Sequence, residues 1–216
     1  MTPVASRLRQ AVHDRQFLIT AEIAPPKGGN PAHMLELAAG LRDRVHAVNI
    51  TDGSRAVMRM ASLPASLLLL QHGVEPILQM ACRDRNQIAI QADLLGAHAL
   101  GIRNVLALTG DPVQAGDHPQ AKAVFDFESV RLLKAINKLN QGFDINNQPL
   151  TDGKTDLFVG AAVDPQCKSK SGLQRRFERK LAAGAKFFQS QLISDFDVLE
   201  KFMTQIAAVT DAPILA

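Results

Sequence analysis

The stretch FLITAEIAPPKGG, residues 17 to 29, decides how the rest of the chain is read. Its apolar residues alternate, so Ile19, Ala21 and Ile23 share one face of a strand while Leu18, Thr20 and Glu22 share the other. Pro25, Pro26, Gly28 and Gly29 then end the strand abruptly. If the apolar face packs on helices, Glu22 points to the opposite side. A carboxylate costs several kcal/mol to bury unpaired, so that side calls for an explanation.

Working outward, further strand-like runs lie at Ala47–Thr51, Pro76–Cys82, Asn104–Thr109, Leu157–Val163, Phe187–Ile193 and Ala212–Ala216, with the first at Phe17–Ala24. Helical spacing separates them: Met34, Leu37, Leu41; Ile88, Ala92, Leu95, Ala99; Leu132, Ile136, Leu139; and Phe196, Leu199, Phe202. Gly73, Gly101 and Gly184 each follow an apolar helical run, where glycine closes a helix in the left-handed conformation at low cost. Alternating strands and helices without a hairpin signal predict a parallel sheet. A (β/α)8 TIM-type barrel is the first choice and a doubly wound sheet the second.

In a barrel one face of every strand points inward. Counting from Glu22, the inward set adds Asn49 and Thr51, Gln79, Thr109 and Asp111, and Gln189 and Gln191. Each alone could be a satisfied core hydrogen bond. Together with a carboxylate, at the strand ends where barrel enzymes place their chemistry, they read as a site.

Composition narrows the classes. No run reaches the roughly 20 apolar residues of a membrane span, because LPASLLLLQHGV breaks at Gln71 and His72. The N-terminus carries dispersed charge and no apolar core of a signal peptide, which predicts a cytoplasmic protein. Cys82 and Cys167 stand far apart, with no metal-ligand spacing, and read as a buried small hydrophobe and a loop thiol. Net charge +3 suits an anionic ligand, while the absence of Trp and Tyr removes the aromatic interleaving that single-stranded nucleic acid uses.

Four motifs, TAEIAPPKG, VNITDG, NVLALTGDP and ERKLAAGAKFFQSQ, in this order and spacing, resemble the methylenetetrahydrofolate reductase family, a family of flavin-dependent barrels. The resemblance runs from about Phe17 to the C-terminus, nearest to the branch with an AVDP fifth strand and a GDHPQAKAVFD loop. It implies one domain over residues 1–216 that binds flavin and folate, in the one-carbon metabolism that feeds methionine biosynthesis. NAD(P)H would reduce FAD, or FMN in its place, and 5,10-methylenetetrahydrofolate would be reduced to 5-methyltetrahydrofolate. The methylene bridge accepts hydride only after its ring opens to a cationic iminium, which needs a proton on the leaving nitrogen. Glu22 matches the family's general acid; loss of hydration in a barrel mouth would help it keep that proton, and the prolines after it would hold the strand end.

The resemblance also carries over other residues. Asp111 matches the carboxylate near flavin and pterin, although a turn residue before Pro112 is its plain reading. Gln191 matches a substrate-contacting glutamine. Thr51, Thr109 and Gly110 match strand ends that touch the flavin, Gln79 a cofactor-binding position, Gly160 and Ala162 positions on the fifth strand near the cofactor, and Phe125 with Asp126 a flavin-contacting pair. Arg179 and Lys180, in a basic run that otherwise reads as a solvated helix face, match residues near the cofactor's phosphates. No metal site is implied. The sequence departs from the family at Gln79, where many relatives have histidine, at Thr109, where many have arginine, and at Ala162, where a tyrosine would meet the flavin.

Eight βα units usually take about 250 residues, and the count here reaches a seventh strand, APILA, at the last residue. The expectation is a barrel truncated at about that strand, with open edges that favour a homo-oligomer or a partner subunit. A non-catalytic barrel subunit or fragment, which binds flavin, pterin or a partner without turnover, is the second functional class. An aldolase-type barrel would need a strand lysine for a Schiff base, and the strand interiors have none.

Overall fold

The computed structural model describes residues 6–216. The leader reading of the N-terminus lies partly outside them. Seven parallel strands, β1 (Thr20–Ile23), β2 (Ala47–Ile50), β3 (Pro76–Ala81), β4 (Asn104–Leu108), β5 (Phe158–Val163), β6 (Phe187–Ser190) and β7 (Ile214–Leu215), pair in chain order. The sheet curls into a nearly closed α/β barrel, and the doubly wound alternative is excluded by this consecutive order. Among the described residues β1 and β7 each have one unpaired edge. Every strand is shorter than its predicted run, because the runs extend into the loop before the strand, the loop after it, or both.

Six helices lie between or after the strands: α2 (Ala32–Leu41), α3 (Ser62–Gln71), α4 (Gln87–Ala99), α5 (Ser129–Gln141), α6 (Lys170–Ala182) and α7 (Phe196–Gln205). Gly73, Gly101 and Gly184 take φ of 74°, 91° and 95°, as the helix-closing role requires. Outward strand residues pack on the helices: Val48 and Ile50 against α2 and α3, and Leu78, Met80, Val105, Ala107, Val159 and Phe188 against α4 to α7. On α4 the buried stripe is Ile90, Leu94 and Ala97, while the predicted Ile88 is 75% exposed. Small and apolar residues surround that helix on several faces, so spacing alone does not pick the buried one. On α7 only Phe202 of the predicted trio is buried, and Phe196 lies exposed at the barrel mouth.

The interior is layered. Ala47, Ile77, Leu106, Phe158, Phe187 and Leu215 form an apolar layer, and Leu8 of a further helix, α1 (Arg7–His13), closes it from the N-terminal end. Sequence reading missed α1, whose two buried residues, Leu8 and Ala11, make too short a pattern. Glu75, just before β3, receives hydrogen bonds from the Arg7 and Leu8 N–H groups at 2.6 and 3.0 Å, which holds the helix start against the strands. With this end sealed, the polar inward residues lie toward the opposite mouth.

Candidate functional site

At the C-terminal ends of the strands lies an open cavity of about 980 Å³. Thr20 and Glu22 of β1, Asn49 of β2, Gln79 of β3 and Gln189 of β6 all line it, each at the inward parity of its strand. Gln79 Nε2 donates to Glu22 Oε2 at 3.1 Å, and Gln79 itself is buried. Glu22 is exposed to the cavity, so the expected loss of hydration is not met: the mouth is too wide to strip water from that side chain.

Three buried acceptor atoms beside this pair, Asn49 Oδ1, Thr51 Oγ1 and Gln189 Oε1, have no hydrogen-bond partner among the described residues. Buried polar atoms are nearly always paired, and an orphan costs about 1–3 kcal/mol. The residues that carry these atoms all line the cavity, which marks it as the place for a ligand with donors to offer.

The loops at the mouth are tied together by carboxylates. Asp52 accepts from the Ala81 N–H at 2.8 Å and from Arg85 Nη1 at 2.6 Å, joining the turns after β2 and β3. Asp111 Oδ2 accepts from the Arg55 N–H at 2.7 Å. Arg55 and Ala56 both hold left-handed backbone, a strained state for side-chain-bearing residues. Asp117 receives Lys27 Nζ at 2.6 Å and the Met58 N–H at 2.9 Å; Lys27, then that amide, then His118 hold its carboxyl well below the usual carboxylate range. The prolines after β1 join the same unit, since the Pro26 carbonyl accepts from the Met60 N–H at 2.9 Å.

Lys180 reaches the cavity from α6, and its Nζ donates to the Ala162 carbonyl at 2.6 Å. Burial, then the charge of Arg176, pulls its pKa below the ordinary lysine value.

Of the residues singled out in the sequence, Glu22, Thr51, Gln79, Thr109, Gly110, Asp111, Ala162, Lys180 and Gln191 border this cavity. Thr109 does so at the rim and not from an inward strand position: Leu106 and Leu108 hold the inward parity of β4, and the Thr109 hydroxyl accepts from the Ser129 N–H at 3.1 Å. Four others do not line the cavity. Gly160 faces the Phe187 ring, where a Cβ would lie 2.4 Å from ring atoms, so packing explains this glycine. Asp126 accepts from the Gln87 N–H at 2.9 Å at the start of α4, and Phe125 lies beside it. Arg179 pairs with Glu128 at 3.1 Å on the exposed side of α6.

Arg83 lines the cavity without having been singled out, and Gln189, which also lines it, belongs to the inward polar set without a role of its own. Gln189 carried a signal, its inward parity. Arg83 carried none, because it follows β3 in a run of charges, CRDR, that reads as a solvated loop. Cys82 is buried and packs outward on the helices, and Cys167 lies in the loop before α6, as read from the sequence.

Residues 7–216 match the family model described as methylenetetrahydrofolate reductase. The chain belongs to the methylenetetrahydrofolate reductase family. This is an oxidoreductase family. Methylenetetrahydrofolate reductase 2 of Schizosaccharomyces pombe is 30% identical over 140 residues, which is 64% of this chain and 21% of that protein. The chain therefore spans about a fifth of the length of this curated family relative. Among solved structures, an uncharacterized protein from Clostridium thermocellum that binds two copies of 5-methyl-5,6,7,8-tetrahydrofolic acid superposes with a TM-score of 0.63 at 14% identity, over 94% of this chain and 64% of that one. A 2,3-dimethylmalate lyase of the PEP mutase/isocitrate lyase superfamily superposes with a TM-score of 0.65 at 15% identity, over 98% of this chain and 70% of that one. At such identities these structures share the fold of this family member. No helix of the described residues is long and apolar enough to cross a membrane.

Proposed function

We propose that this chain is a flavin-dependent methylenetetrahydrofolate reductase barrel, one domain that takes electrons from NAD(P)H and reduces 5,10-methylenetetrahydrofolate to 5-methyltetrahydrofolate. The observation that carries the proposal is the Gln79-held Glu22 carboxyl among three orphaned buried acceptors in one cavity. FAD, or FMN in its place, supplies the hydride-carrying ring when bound. The residues present fit it: the cavity has the size of a small-molecule site, its unpaired acceptors suit a heterocycle with N–H donors, and Lys180 offers a cation to phosphate.

Glu22 delivers a proton to the leaving nitrogen of the substrate's five-membered ring, so that the methylene carbon becomes electrophilic. Gln79 holds the carboxyl in place through Oε2 and leaves Oε1 without a hydrogen-bond partner among the described residues. Asp111, with Oδ2 held by the Arg55 amide, keeps Oδ1 for the donors of an aminopyrimidine edge. The folate-binding Clostridium thermocellum neighbour supports a pterin on this kind of barrel.

The edges of β1 and β7 that have no partner among the described residues favour a second reading, a barrel that binds its ligands but turns over only with a partner that covers those edges. Purified protein tests the two. A flavin band near about 450 nm together with NAD(P)H-driven folate reduction supports the reductase. Bound flavin or folate without turnover supports the second reading, and absence of both ligands would overturn the site.

A further inference from the structure

We infer that Arg83 recognises a ring carbonyl oxygen of the cavity's ligand, a contact that rests on the flavin and folate reading above. Arg83 borders the cavity just after β3 and is only 5% exposed. Its Nε and Nη2 donate to Asp84 Oδ1 and Oδ2 at 2.9 and 2.7 Å, and Nη1 donates to the Gly53 carbonyl at 3.0 Å. A guanidinium has five N–H donors. Two therefore have no partner among the described residues, and a buried donor left so costs free energy that a ligand oxygen would recover.

The backbone on both sides is cut to this side chain. Gly53 holds φ +57°, and a Cβ there would lie 2.6 Å from Arg83 Nη2. Gly110 holds φ +95°, and its Cβ would lie 3.0 Å from Arg83 Cβ. The turns after β2 and β4 thus both carry glycine where the arginine passes between them.

Charge selects the kind of oxygen. The hydrogen bond to Asp84, with the charges of Asp84, Asp52 and Asp111, outweighs burial and holds the guanidinium's proton more firmly than usual. Those carboxylates leave the wall compensated, so a phosphate dianion that met Arg83 would also meet their repulsion. A neutral, strongly polar carbonyl oxygen takes the two N–H groups without it. Flavin and pterin rings both carry such carbonyls, and phosphate is left to Lys180.

Dissociation constants decide the matter, measured by fluorescence quenching for riboflavin, FMN and FAD and by calorimetry for 5-methyltetrahydrofolate, on wild type, Arg83→Gln and Arg83→Lys, with thermal melts alongside. Arg83→Gln is expected to weaken one ring by about tenfold or more. A flavin carbonyl gives the same factor for riboflavin, FMN and FAD, and a pterin carbonyl gives a loss with the folate alone. Arg83→Lys keeps the charge without the fork and falls in between. Unchanged affinity for all four ligands in both variants would overturn the inference, as would a loss confined to FMN and FAD. If Arg83→Gln does not fold, Arg83→Lys is judged by the same criteria. Wild-type protein that binds none of the four would remove the flavin and folate reading, and this contact with it.

Discussion

Gln79 Nε2 donates to Glu22 Oε2 at 3.1 Å, so the side chains of β1 and β3 meet across the intervening β2. Gln79 is buried and Glu22 is exposed, which makes the glutamine the fixed partner and the carboxyl the one being aimed. Gln79→Ala should leave the acid present but unanchored. Single-turnover folate reduction is expected to slow by about tenfold to a hundredfold, with nicotinamide oxidation unaffected. Equal slowing of both steps would show a general loss of the site instead.

Arg179 and Lys180 are neighbours in sequence with different surroundings. Lys180→Ala should weaken FAD binding by about tenfold while leaving riboflavin binding unchanged, because the lysine alone reaches the cavity. Arg179→Ala should bind both like wild type, since it removes only an exposed pair with Glu128. Flavin titrations of the two variants check this directly.

Gly160→Ala places a methyl group into the Phe187 ring, with a Cβ at 2.4 Å. Overpacking of this kind costs about 1–3 kcal/mol, so chemical denaturation should show a lower midpoint with no flavin present. A wild-type midpoint would show that the ring has room to move aside.

The two thiols should separate by reactivity. Burial pushes the Cys82 thiol from an ordinary 9.0 up to about 12, so it should resist alkylation at mildly alkaline pH, while Cys167 reacts. The folded state holds the Cys82 proton more tightly than the unfolded chain does. Its contribution to stability is therefore complete below pH 9 and falls as pH rises toward 12. Cys82→Ser should flatten that part of the profile, and two thiols reacting in the native protein would contradict the burial.

The barrel was legible in the sequence because seven short apolar runs alternate with helical spacing, and because glycines close the helices before three of the strands. The inward parity of Glu22, Asn49, Gln79 and Gln189 was legible for the same reason, since period two is a property of the strand itself. Thr109 was misplaced because the inward parity of β4 belongs to Leu106 and Leu108, which puts the threonine on the other face; it borders the cavity only from the rim, one residue past the strand. Arg83 and the Asp117 tie were not legible. Both depend on which loops meet at the mouth, and loop contacts leave no periodic trace. Gly160 shows the same limit: the resemblance puts it near the flavin, but it does not line the cavity, and the reason for this glycine is the Phe187 ring, which arrives from a different strand.

Glu22→Gln tests the central claim most directly. The amide keeps the side chain's size and its contact with Gln79 but has no proton to give the leaving nitrogen. In anaerobic stopped-flow with flavin-loaded protein, reduction by the nicotinamide should proceed at nearly the wild-type rate, and the subsequent reduction of methylenetetrahydrofolate should slow by about 10²-fold or more. A wild-type rate in the folate step, or an equal fall in both steps, would contradict the assignment of Glu22 as the acid.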